Sequence, residues 1–378
     1  MHISLEKSPF LKALSHGQSV VEKKSTVPII STVLIQTVDG RLSITATDMD
    51  MALVEHIPAE IKVSGSVCVS ASLLYDIVKK LNDKKTIDLS VNEDGSRLFI
   101  VSGRSRFDMG CLPVEDFPQL VQSEISHRFT LPVPVLSHLI DATRFCMALE
   151  ETRYYLNGIH FHAHQQDGIP YLRAVATDMH RLSCVQCEAP DDIKDMPSVI
   201  IARKTIGEIR KLMDDASAPI EIGLSSTRVE FKVQGHGYDA LLTARLVEGT
   251  FPDYEDAIQV ENDKSLIIAT KDFSESIDRV GTVVTNDKVR AIRLSVSENQ
   301  AVLSAVSQEY GTATEEMDVD FAYQDSIDVC FNVRYMMEVA QQINADEMEI
   351  LLLDPQSSLV IKPVANPNMT FILMPMEA

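Results

Sequence analysis

Short runs of alternating apolar and polar residues recur along the whole chain, interrupted by a few stretches with helical spacing. LSITATDMD at 42–50 closes one alternating run and leads into another, MALVEHI. LRAVATDMH at 172–180 does the same 130 residues later and leads into RLSCVQC. A further step of 130 reaches VLSAVSQEY at 302–310, which keeps the alternation and replaces Thr-Asp by Ser-Gln. Strict alternation predicts half-buried strands. The three segments therefore read as one strand–turn–strand design used three times.

The helical stretches obey the same period. VSASLLYDIVKKL (69–81) places Leu74, Ile77, Val78 and Leu81 on one face. Moving 131 residues gives IIARKTIGEIRKL (200–212), with Ile206, Ile209 and Leu212 as the stripe. Moving 262 gives NVRYMMEVAQQI (332–343), with Met336, Val339, Ala340 and Ile343. A second set comprises KSPFLKALSHG, VPVLSHLIDATRF (133–145) and TKDFSESIDRVG (270–281). Strand pairs repeat as well: RLFIVSG with RFDMGCLP, RVEFKVQ with GYDALLTARL, and LVIKP with FILMPM. The pattern predicts an α+β chain of three tandem units, each with two helices and many short strands. Polar seams near 122–128 and 260–266 set the expected boundaries at 1–124, 125–258 and 259–378.

Composition sharpens this only in places. A chain of 378 residues is long enough for several cores. It has no apolar run of the roughly 18 residues a membrane span needs, and MHISLEKSPF lacks the apolar centre of a secretory signal. Six scattered cysteines suggest a reducing, cytoplasmic setting without a disulfide framework. A net charge of −21 argues against a nucleic-acid binder on average, but its distribution matters more. Lys79 and Lys80 end one repeat helix, Arg210 and Lys211 hold the same places in the next, and Arg334 lies 131 residues after Arg203. The helix side is locally basic, whereas acidic residues crowd the strands and loops.

Candidate chemistry is sparse. CVQC (184–187) has no second CxxC, and its cysteines stand where the first repeat has Val54 and Ile57, so strand packing is expected. His160, His162 and His164 share one strand face; a surface hairpin strand ending in QQDG accounts for them without a metal. TDMHR matches a copy with Asp50 and Met51, so His180 and Arg181 elaborate a structural turn. No phosphate-binding glycine loop and no HExxH occurs. The sequence points to no catalytic residue, metal or cofactor, and to no enzyme. A three-domain ligand-binding or scaffold protein, which the acidic balance favours, and a small-substrate hydrolase working at TDMHR are the rival readings.

KSTVPII (24–30), RYYLNGI (153–159), ATDMHRL (176–182), FPDY (251–254), VSENQ (296–300) and MPM (374–376), in this order on a threefold repeat, resemble the bacterial DNA polymerase III beta subunit, the sliding clamps. The resemblance runs from end to end. It implies a DNA clamp fold of two-helix, two-sheet units in which two chains form a closed ring around double-stranded DNA, without sequence preference and without a membrane. The ring tethers the polymerase catalytic subunit, the clamp loader and other proteins with a clamp-binding motif, and so confers processivity. Helix spacing agrees. At about 10 Å between axes, six helices close a circle of roughly 60 Å circumference, too tight for a duplex, whereas twelve leave a hole near 28 Å.

The resemblance also implies sites. A partner-peptide pocket maps to Leu156, Thr177, Met179, His180, Arg181, Leu182, Pro252, Asn332, Tyr335, Ser358, Ile372, Leu373, Met374, Pro375 and Met376. Met179 replaces a usually small residue, Asp256 replaces a common arginine, and the tail ends Glu377-Ala378 instead of a basic-apolar pair. DNA contacts map to Lys24, Tyr154, Tyr155 and Lys204, to which Lys80, Arg153 and Arg203 are added. For the tyrosines core packing is the alternative, and strand alternation would turn only one of them inward. A homodimer seam is expected between Arg104 and Arg106 on one edge strand and Glu309, Glu315 and Glu316 on another, with Val283 and Val284 as apolar anchors.

Overall fold

The computed structural model describes the chain except residues 23–25, 121–123, 191–192, 194, 259–260 and 377–378. Six helices form where the apolar spacing predicts them: Lys7–Val20, Ala71–Lys80, Val133–Asp141, Arg203–Met213, Thr270–Gly281 and Val333–Ala340. The chain gathers into two compact units. One comprises Met1–Ser137 with Pro190–Glu248, the other His138–Ala189 with Gly249–Ala378, so the middle repeat contributes to both.

The first unit is built on one sheet of thirteen strands. Helix Lys7–Val20 buries Phe10, Ala13, Leu14 and Val20 at helical spacing. Gly17 lets the helix lie close on strand Thr32–Val38, because a Cβ there would meet Val33 Cγ1 at 3.3 Å. The Lys7 ammonium donates to the carbonyls of Lys79 and Leu81 at 3.0 and 2.5 Å. These are acceptors that the end of helix Ala71–Lys80 would otherwise leave unpaired. In the second unit, seven strands form one antiparallel sheet from Gly158–Gln166 to Lys264–Ala269, and four form another in the order Gly311–Asp318, Gln300–Ser307, Ala291–Ser297, Ile327–Asn332.

The duplicated ATDM is a duplicated turn. Thr47 Oγ1 donates to Met51 O at 2.8 Å and accepts from Met49 N, while Asp48 Oδ1 accepts from Asp50 N and Met51 N. Thr177 and Asp178 repeat each bond with Arg181, Met179 and His180. Both methionines take a left-handed backbone, with φ of 82° at Met49 and 73° at Met179. The third copy is one residue tighter. It pairs Ser307 with Gly311, where the others pair Thr47 with Ala52 and Thr177 with Leu182, and its positive φ falls on Gly311.

The joints between repeats are duplicated too. In the first unit Met51–Ile57 pairs antiparallel with Tyr238–Arg245; in the second Arg181–Glu188 pairs antiparallel with Met369–Leu373. Arg245 N donates to Asp50 O and Val247 N to Ile200 O, both at 2.9 Å. One repeat later, Met374 N donates to His180 O at 2.9 Å and Met376 N to Cys330 O at 2.7 Å. The same seam is thus made twice within one chain.

Candidate functional site

The residues expected in the peptide pocket divide by burial. Leu156, Leu182, Ile372 and Leu373 are interior, and Thr177 is spent on the turn. Met179 and Met374 are 44% and 46% exposed, and His180 is exposed beside them. Pro252, Ser358, Pro375 and Met376 are half-buried. The paired strands bring Leu182 opposite Ile372 and Arg181 opposite Leu373. Asn332 caps helix Val333–Ala340 by accepting from Arg334 N and Tyr335 N, which fixes Tyr335 beside the turn. The His180 and Tyr335 rings stack at 6.1 Å. Together these make a surface with an apolar floor, two exposed methionines and two stacked rings. Of the departures, Asp256 is exposed on the short helix Glu255–Ile258, and Glu377 and Ala378 lie outside the described residues.

Arg181 holds this surface together. Its side chain is 6% exposed, ion-paired with Asp178 and Glu338, and its Nη2 donates to Phe145 O at 2.8 Å. The guanidinium lies 4.4 Å from the Tyr335 ring centroid and 5.1 Å from that of Phe145. Burial opposes its charge, yet its surroundings, Cys146 first and then Glu338 and Asp178, hold its pKa above the ordinary arginine value. Burial also opposes ionisation of Glu338, but hydrogen bonds from Arg334 and Arg181 pull its carboxyl below the usual range. Sequence reading missed Phe145 and Glu338. The four-residue step from Arg334 to Glu338 was the signal for the latter.

The expected DNA-side residues are less free than their charges suggest. Lys204 is bound by Asp48 and donates to Val20 O at 2.8 Å, so its ammonium is already largely neutralised. Arg210 pairs with Asp214, Lys211 with Glu208, Arg153 with Glu150 and Arg334 with Glu338. Lys80 is exposed at its helix end, and Arg203 opens helix Arg203–Met213. Lys24 lies outside the described residues. Glu151–Leu156 is a 3-10 turn and not a strand, so alternation does not decide which tyrosine faces inward. Tyr154 is 56% exposed, Tyr155 is half-buried, and their rings meet edge-on at 5.7 Å.

At the expected dimer seam, Arg106 lies on strand Ser105–Leu112, which follows Arg104, and Glu315 and Glu316 lie on edge strand Gly311–Asp318, which Glu309 precedes. Glu315 is already held by Arg279 and Ser276, which bring its carboxyl down to about 2. Val283 is half-buried, and Val284, 1% exposed, belongs to the chain's own interior and cannot serve as a surface anchor.

The histidine row is on one face as expected but is not a surface feature. His160 stacks on Phe251 at 4.6 Å and on His162 at 4.9 Å. His162 Nε2 shares a 2.6 Å hydrogen bond with the Tyr254 hydroxyl. Burial pushes His160 down to about 3 and lowers the other two, so the rings pack as neutral imidazoles. Cys184 lies opposite Val175 and Thr370 in its sheet, and burial pushes both Cys184 and Cys187 up to about 11, far from a reactive thiolate. Among the described residues, no group of three or more His, Cys, Asp or Glu side chains is placed to hold a metal ion. No described helix is long and apolar enough to cross a membrane.

Three copies of a two-helix unit, joined by equivalent strand pairs, define the class as a DNA clamp fold. Family profiles for the N-terminal, central and C-terminal domains of the DNA polymerase III beta subunit match residues 1–121, 130–253 and 256–377, and the chain belongs to that sliding clamp family. It is 39% identical to the beta sliding clamp of Caulobacter vibrioides over 378 residues and 32% identical to that of Escherichia coli K12 over 380, covering both chains fully in each case. Among solved structures, the Bartonella birtlesii sliding clamp bound to griselimycin superposes with a TM-score of 0.95 at 40% identity, covering all of both chains. The Caulobacter crescentus clamp gives 0.96 at 38%, covering all of this chain and 99% of that one.

Proposed function

We propose that two copies of this chain close head to tail into a ring around duplex DNA, and that the ring tethers a replicative polymerase and other proteins through short peptides. The repeated seam carries this reading. Each internal joint pairs the strand after the ATDM-type turn with the last strand of the next repeat. The third repeat has the first of these strands, Gly311–Asp318, with one side unpaired among the described residues. The first repeat has the second, Ser105–Leu112, whose Ser105–Gly110 stretch is paired, among the described residues, only with Arg97–Ser102. Shifting the two observed registers by one repeat runs Arg104 and Arg106 alongside the stretch 315–320, which carries Glu315, Glu316, Asp318 and Asp320. Exposed Phe107 on one edge and exposed Val306 and Tyr310 beside the other supply apolar contact.

A closed ring needs no tight grip on DNA, because escape requires a seam to open. That suits a chain of net charge −21 whose helix cations are largely paired. Contacts confined to phosphates carry no sequence information and permit sliding. The surface around Met179, His180, Tyr335 and Met374 fits a short peptide with a glutamine and two or three large apolar residues. Such a peptide is the means by which the polymerase catalytic subunit, the clamp loader and other clamp-binding proteins would share one site. Sedimentation velocity tests the ring. The native chain is expected to run as a dimer, and Phe107→Asp combined with Val306→Asp as a monomer. A stable dimer in that double variant overturns the seam.

A further inference from the structure

A polar cleft of about 310 Å³ opens in the second unit between helix Glu255–Ile258 and the sheet. Arg173, Gln186, Lys362, Asn368, Glu255 and His164 line it. The Arg173 side chain is 12% exposed; its Nε donates to Gln186 Oε1 at 2.8 Å, and its Nη1 lies 3.4 Å from the Tyr254 hydroxyl and 3.6 Å from Glu255. A guanidinium carries five N–H donors, so the fork is not used up by these contacts. Lys362 makes no ion pair among the described residues. Within the lining these two cations meet one carboxylate, Glu255, itself 3.4 Å from His164 Nδ1, while Glu349, opposite Lys362 in the next strand, is held by Ser265 at 2.6 Å. Burial keeps that imidazole neutral, so it adds no charge at pH 7. In so acidic a chain, a recessed lining with more cations than carboxylates and a guanidinium with open donors is built for an anion.

We infer that this cleft binds a carboxylate, and that the carboxylate is an acidic residue of the same peptide that docks at the Met374 surface, an extension that rests on the function proposed above. One surplus cation matches one negative charge, and a guanidinium fork matches the planar pair of carboxylate oxygens. The volume lies at the small end of ligand pockets, roughly 300–1,000 Å³. The strand register links the two places. Leu182 lies opposite Ile372 and Cys184 opposite Thr370, and alternation continues the same face to Gln186 beside Asn368. Four residues of strand span about 14 Å, the distance an extended peptide crosses in as many residues.

The test uses the full-length chain and a fluorescent peptide with a glutamine and apolar anchor residues, in three forms: unflanked, with a glutamate four to six residues to either side, and with glutamine in place of that glutamate. Calorimetry with glutarate alone forms a separate arm. The glutamate form on one side is expected to bind about fivefold tighter than its glutamine counterpart. Lys362→Met is expected to erase that difference while leaving the unflanked peptide unchanged. Equal binding of both flanked forms on both sides, with no glutarate binding, overturns the inference. Glutarate binding that Lys362→Met abolishes, with no flank effect, assigns the cleft to free dicarboxylates and overturns its place in the peptide footprint. If the unflanked peptide itself fails to bind, the peptide reading falls, while the glutarate arm still decides whether the cleft holds a carboxylate.

Discussion

Arg181 joins its turn to helix Val333–Ala340 through Glu338 and Tyr335 while almost wholly removed from water. Removing one partner from a buried pair strands the other, at a cost of about 3 kcal/mol. Arg181→Met is therefore expected to lower the denaturant midpoint of the second unit and to weaken peptide binding. Lysine should not rescue it, because one ammonium cannot serve Asp178, Glu338 and the Phe145 carbonyl in a planar fork. Unchanged stability in the methionine variant would show that the stacked rings alone fix the site. His160 sets a pH dependence of known sign. Folding depresses its pKa to about 3, whereas an unfolded histidine titrates near 6.5, so unfolding takes up a proton between those values. Its share of stability is complete above about pH 6.5 and is lost as pH falls toward 3. His160→Gln should flatten the pH profile of the urea midpoint across that window; an unaltered slope would place the acid sensitivity elsewhere.

Among the elements, those with local signals were legible in the sequence. The six helices follow from apolar spacing, and the paired turns follow from ATDM itself, since Thr47, Asp48, Thr177 and Asp178 satisfy the backbone within four residues. What escaped depends on distant partners. Nothing near Lys204 reveals that Asp48, 156 positions away, neutralises it, and nothing near HFHAH reveals the rings of Phe251 and Tyr254. Val284 looked like a surface anchor because its burial follows from the 3-10 turn Thr282–Val284 after helix Thr270–Gly281. The tail shows how an element's role changes a prediction. From sequence, removing residues 374–378 is expected to barely change folding. In the structure Met374 N and Met376 N each close a backbone hydrogen bond, so the truncation is expected to cost about 1–3 kcal/mol. Met374→Ala keeps both bonds and should be near neutral for stability. It should still weaken a docked peptide roughly tenfold, since one buried apolar anchor contributes about 1.5–3 kcal/mol. Equal peptide affinity of Met374→Ala and the native chain would move the site away from the tail.

At the scale of the whole molecule, the repeat was visible in the period of 130–131 residues, but the seam on which the proposed ring rests required the strand order. Two internal joints with matching hydrogen bonds leave a third pair of edges of the same kind, and a second copy satisfies both at once with twofold symmetry. An acidic ring with paired cations should bind short duplexes weakly and with a steep salt dependence, yet stay on a closed circle. The most direct measurement is retention on plasmid DNA after loading, followed by gel filtration in high salt. The account predicts that the protein co-elutes with a nicked circle and is released when the same plasmid is cut once to leave free ends. Retention on the linear form, or loss from the intact circle at the same salt, would contradict it.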